Sequence, residues 1–137
     1  MLHALLIVAA FAAAGAPKDD SPAPCESASL GPLDVCTALA TAAKTSDFDT
    51  ILGHSTAYCR SHFGRKEKLA IEGLHNLMIG IRCVKISKQD DAATPPRATV
   101  WVYAPEGKSR DMPFVKEHDF WRFDFVEYEA MHGRQAK

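Results

Sequence analysis

The spacing of apolar residues changes once along this chain, at Gly80, and that change restricts the fold more than any other feature. Before it, apolar positions recur every three or four residues; after it they recur every two. Residues 32–45 (PLDVCTALATAAKT) place Leu33, Cys36, Leu39, Ala40 and Ala43 on one helical face. Pro32 suits the first turn of that helix, and Asp34 suits the positive end of its dipole. A short second helix is expected over residues 47–52, with Ser46 or Asp47 as N-cap and Gly53 as its stop. A third, over residues 65–78, aligns Ala70, Leu74, Leu77 and Met78, while Lys66, Glu67, Lys68 and Glu72 fall elsewhere.

Beyond Gly80 the chain is rich in β-branched and aromatic residues. Residues 81–88 (IRCVKISK), 97–104 (RATVWVYA), 112–117 (MPFVKE) and 120–128 (FWRFDFVEY) read as strands, with a polar loop over residues 89–96. In the second of these, Ala98, Val100, Val102 and Ala104 share one face, and Thr99, Trp101 and Tyr103 share the other. In the last, Trp121, Phe123 and Phe125 alternate with Arg122 and Asp124, which predicts one aromatic and one charged face. His118 and Asp119 make a tight connection between the last two strands. Helices followed by a four-strand meander predict an α+β domain, its N-terminal helices covering one face of an antiparallel sheet.

The 137 residues are 47% hydrophobic and 24% charged, and 16 basic side chains against 17 acidic ones leave a formal charge of -1. That balance describes one ordinary globular domain and excludes a polybasic nucleic-acid binder. Residues 1–16 carry no charged side chain, and their apolar run is shorter than the span of about 20 residues that crosses a bilayer. With small residues at Ala12, Ala14 and Ala16 as cleavage sites, this block reads as a signal peptide. The expected organisation is a signal peptide over 1–16, a spacer over 17–29, the domain over 30–130 and a polar tail over 131–137. The expected location is periplasmic or extracellular, without membrane insertion after cleavage.

Four cysteines, Cys25, Cys36, Cys59 and Cys83, follow the leader. An even number in a small exported domain predicts two disulfides, with three connectivities open. The preferred pairing is Cys36 with Cys59 and Cys25 with Cys83; the first would close a loop of about 24 residues, worth roughly 3 kcal/mol. A rival use of the segment HSTAYCRSH is metal binding through His54, Cys59 and His62, but no second close pair completes a ligand set, and no metal is assigned. Basic residues cluster over 60–68, where Arg60, Phe63, Arg65 and Lys66 form a candidate surface for an acidic partner.

Two segments carry a family resemblance. The first helix runs into Lys44, Thr45, Ser46, Asp47 and Phe48, a small-residue and Asp step before a short helix. The segment MPFVKEHDFWRFDF, from Met112 to Phe125, makes a closing hairpin. Together with the element order, these resemble the NTF2-like (cystatin-like) superfamily, in particular its small secreted bacterial members, over residues 32–128. The His118-Asp119 turn and the four cysteines depart from the family pattern. The resemblance implies a curved four-stranded sheet wrapped around a long helix as a cone, here stapled by disulfides. Leu74, Met78, Trp101, Trp121 and Phe123 would line that cone.

Relatives that act as isomerases or dehydratases use an Asp or a His-Asp pair inside the cone, where burial tunes an acid or base. The corresponding candidates here are His75 and Asp124, with His54 a further histidine to consider. No P-loop, nucleophile elbow, zinc-protease or dinucleotide motif occurs, so no cofactor is expected. The favoured expectation is a non-catalytic binding domain for a protein partner or a small apolar ligand, with no nucleic acid. The oligomeric state is open, a dimer included. The alternative is a small cofactor-free isomerase- or dehydratase-like enzyme.

Overall fold

The computed structural model describes residues 24–25, 30–64 and 68–132. The expected signal peptide, most of the expected spacer, Arg65, Lys66, Glu67 and residues 133–137 lie outside the described residues.

Helix α1 (Pro32–Lys44) begins where Gly31 donates its N–H to the Asp34 carboxylate at 3.2 Å, and it buries Val35, Cys36, Leu39, Ala40, Ala42 and Ala43. Helix α2 (Phe48–Gly53) is N-capped by Asp47, whose carboxylate accepts from the Thr50 N–H at 3.2 Å and the Thr50 hydroxyl at 2.6 Å. It runs one residue further than expected, with Gly53 as its last residue and His54 as its C-cap. Helix α3 (Ala57–Gly64) lies between the second and third expected helices, where the apolar spacing marks no element. Its first turn is capped twice: the Thr56 hydroxyl accepts from Cys59 N–H at 3.3 Å, and the Glu117 carboxylate accepts from Ala57 N–H at 3.0 Å. Helix α4 (Lys68–Met78) buries Leu74 and Met78 and stops before Gly80.

The sheet runs β1 (Arg82–Asp90), β2 (Arg97–Tyr103), β3 (Ser109–Glu117) and β4 (Phe120–Phe123), each strand antiparallel to the next. Val100 lies opposite Met112 and Phe114 opposite Phe123, so the alternating apolar positions meet on one face. That face joins Leu39, Ile51, Leu74 and Met78 in a single core. The long helix α1 packs against β1, β2 and β4. The β3–β4 turn has His118 at φ 49° and Asp119 at φ 71°, a two-residue connection with both residues in the left-handed region that such hairpins require.

The last predicted strand is corrected at its midpoint. Residues 120–128 do not form one strand: β4 ends at Phe123 and helix α5 (Phe125–His132) follows, taking in Met131 and His132 from the expected tail. Pro113 supplies the reason. Asp124 donates its N–H to the Pro113 carbonyl at 3.0 Å, but proline has no N–H to return, so the ladder stops there. The Asp124 carboxylate then accepts from Glu127 N–H at 3.1 Å and starts the helix.

The disulfide pairing is corrected too. Cys36 on α1 bonds Cys83 on β1, and Cys25 and Cys59 are free thiols. Cys83 sits opposite Val102, on the face that α1 covers, whereas Cys59 is buried on α3.

Candidate functional site

A cavity of about 320 Å³ opens where the ends of β1 and β2 meet α5. Its position follows from register. Lys88 pairs with Thr99 and Thr99 with Pro113, so these three residues form a row across β1, β2 and β3. The neighbouring row pairs Asp90 with Arg97. Ala98 and Phe114 complete the sheet's contribution, and Glu127 and Met131 close the opposite wall from one side of α5.

The wall is fixed at both ends. Arg97 reaches Asp124 at 3.3 Å and ties the start of α5 to β2. Farther along, Arg110 donates to the Tyr128 hydroxyl at 2.6 Å, and the His132 ring Nε2 donates to the Asp111 carbonyl at 2.8 Å. The cavity therefore combines apolar surface from Pro113 and Met131 with two cations and two carboxylates, while Ala98 and Phe114 border it from strands whose side chains at these positions turn into the core.

A second cluster surrounds Arg122 and has no room for a ligand. Its void, about 10 Å³ between Cys25, His54, Trp121 and Arg122, matches a single water at most. Arg122 is buried, donating to the carbonyls of Gly53 and Cys25, with its guanidinium 5.2 Å from the Phe120 ring centre. The charged face predicted for this strand is thus corrected at Arg122, which faces backbone acceptors rather than solvent. Burial lowers the His54 pKa, and the nearby Arg122 charge lowers it further. Burial pushes the Cys59 thiol up to about 12.

His75 lies apart from the cavity. Its ring Nε2 donates to the Ala43 carbonyl at 2.7 Å and its ring meets Phe48 edge-on at 5.3 Å, which joins α4 to α1 and α2. Asp124, the other candidate acid-base group, is the N-cap and ion-pair partner of the cavity wall, so the structure does not bring the two together.

Of the residues expected to line a cone, Leu74, Met78 and Phe123 are packed in the core, a correction that follows from the filled space beneath α1. Trp121 borders the small void, and Trp101 lies on the opposite face of β2, edge-on to Tyr103. Arg60 donates to the Ser55 carbonyl at 2.8 Å, spending its guanidinium within the fold; Arg65, Lys66 and the Phe63 side chain fall outside what is described. His62 stacks on Tyr58, and among the described residues no group of three His, Cys, Asp or Glu side chains is placed to hold a metal ion. Nor, among them, is any helix long and apolar enough to cross a membrane.

No family model, curated protein or solved structure matches this chain.

The cavity residues Lys88, Asp90, Arg97, Thr99, Glu127 and Met131 were not among the sequence candidates. On strands and a helix read separately they are ordinary outward-facing positions. Only the turn at Asp124, which lays α5 beside β3, makes them neighbours.

Proposed function

We propose that this chain is an exported, non-catalytic binding domain of NTF2-like fold. The observation that carries the binding reading is the 320 Å³ cavity, whose charged rim and apolar lining suit capture of a small ligand. His75 is spent on a backbone carbonyl and stands away from this cavity, which weighs against the isomerase-like alternative. The NTF2-like reading draws support from α1, which touches both edge strands, β1 and β4, of a four-stranded sheet. A sheet bent around a helix makes such contacts. The Cys36–Cys83 disulfide fits an oxidising compartment.

The test is a thermal-denaturation screen of the purified protein against small polar and amphipathic compounds, followed by mass analysis of each stabilising compound after incubation. The expected result is a saturable rise in Tm with the compound recovered unchanged. Absence of any stabilising compound, or its chemical conversion, overturns the reading. N-terminal sequencing of the protein made in its native host should begin near Gly15 or Pro17; a start at Met1 overturns export through this leader.

A further inference from the structure

We propose that the cavity between β1, β2 and α5 binds a small zwitterion of dipeptide length with an aliphatic side chain. This rests on the binding-domain reading and names its ligand class. Four charged side chains line the cavity, and the two without a partner among the described residues stand on opposite sides. Lys88 stands on the β1 side and Glu127 on the α5 side, and among the described residues neither side chain has an ion pair or hydrogen bond. The other two charges are already used: Arg97 by Asp124, and Asp90 by the N–H groups of Ala92 and Ala93, each at 3.1 Å. What remains is one free cation facing one free anion across Thr99 and Pro113.

Such a lining has no net charge to offer a simple ion. It favours a ligand that carries a carboxylate at one end and an ammonium at the other. The span sets the length. From β1 to β3 is two strand spacings, on the order of 10 Å, and the long Lys88 and Glu127 side chains reach inward from either side. Two extended residues cover about 7 Å between their ends, which suits that shortened gap better than a single amino acid. Between the charges, Pro113 and Met131 present apolar surface to an aliphatic side chain. A volume of 320 Å³ lies at the small end of ligand sites and matches a ligand of this size.

The experiment is an amide NMR titration of the folded protein with alanyl-leucine, its N-acetyl derivative and its C-terminal amide. The free dipeptide should shift the amides of Ala98, Thr99, Phe114, Glu127 and Met131 saturably, and either cap should weaken binding about fivefold or more. In Lys88→Met, amidation of the peptide should carry no further penalty; in Glu127→Gln, acetylation should carry none. Both substitutions are at exposed positions, and the same spectra report whether the fold persists. Equal binding of the capped peptides, penalties unchanged in the variants, or no saturable shift with any of the three overturns the proposal. If those outcomes coincide with stabilisation by some other compound class, only the ligand class falls. If no compound of any class stabilises the protein, the binding-domain reading falls as well.

Discussion

The two free thiols occupy different environments, and their chemistry should differ accordingly. Cys59 has no exposed surface, and burial holds its pKa near 12, so the reactive thiolate is scarce and shielded. Cys25 is only half buried; burial raises its pKa too, opposed by the Arg122 charge. Alkylation of the native protein, read by peptide mass spectrometry, should therefore label Cys25 first and Cys59 only when urea unfolds the chain. Labelling of Cys59 at the same rate as Cys25 would contradict its burial.

His54 should make stability depend on pH. Its ordinary value is 6.5, and burial beside Arg122 lowers it in the folded state, with Cys25 the other titratable group lining the same small void. Above that ordinary value both states are neutral and the burial carries no pH-dependent penalty. As the pH falls below it, the unfolded chain takes up a proton that the folded state resists, so stability declines until the folded-state value is passed. The urea midpoint should drop between about pH 7.5 and about pH 5, with a shallower drop in His54→Gln. An equal slope in that variant would assign the effect to other groups. None of this was legible from the sequence: HSTAYC carries no mark of depth, and the Arg122 acceptors, Cys25 and Gly53, lie 97 and 69 residues away from it.

Helices and strands were legible to the degree that one apolar period runs through them. Helix α1, the core of α4 and strand β2 keep a single period, and they stand close to where the pattern placed them. Helix α3 carried a signal that the basic run obscured, a Thr56 cap ahead of an apolar Cys59. Helix α5 carried another, Asp124 three residues before Glu127, hidden because Phe123 and Phe125 continue the strand alternation across the cap. The pairing of Cys36 with Cys83 required knowing which face of β1 meets α1, and no cysteine spacing encodes that.

The disulfide closes a separation of 47 residues and ties α1 to the edge strand β1, a constraint worth about 4 kcal/mol in the chain-entropy account. Replacing both cysteines by alanine should lower the free energy of unfolding by roughly 2–4 kcal/mol in urea titrations. A loss below about 0.5 kcal/mol would show that the remaining packing already holds β1 in place. Asp124→Ala should cost about 1–2 kcal/mol, since it removes both the N-cap of α5 and the anchor for Arg97. It should also loosen the cavity wall, seen as faster hydrogen exchange in α5 than in β2.

The joint at Gly80 links these elements into one molecule. There the helical half passes into the sheet half, with φ at +75°, and a Cβ at that position would lie 2.6 Å from Cγ of Pro105, in the loop between β2 and β3. A side chain would meet two obstacles at once: a left-handed backbone that disfavours L-residues, and a ring that cannot swing away as a flexible chain end can. Gly107 provides the control, because it too has positive φ, at +83°, but nothing within 4 Å of an added Cβ. Gly107→Ala should cost only the backbone strain, about 1 kcal/mol, whereas Gly80→Ala should cost roughly 2–4 kcal/mol. The difference between the two variants, measured under identical denaturation conditions, isolates the contact between Gly80 and Pro105. If both lose the same stability, the close approach of the helix end to the β2–β3 loop is not what fixes the helical layer over the sheet. If Gly80→Ala loses more, the change of period that divides the sequence is also the point at which its two halves are held in register.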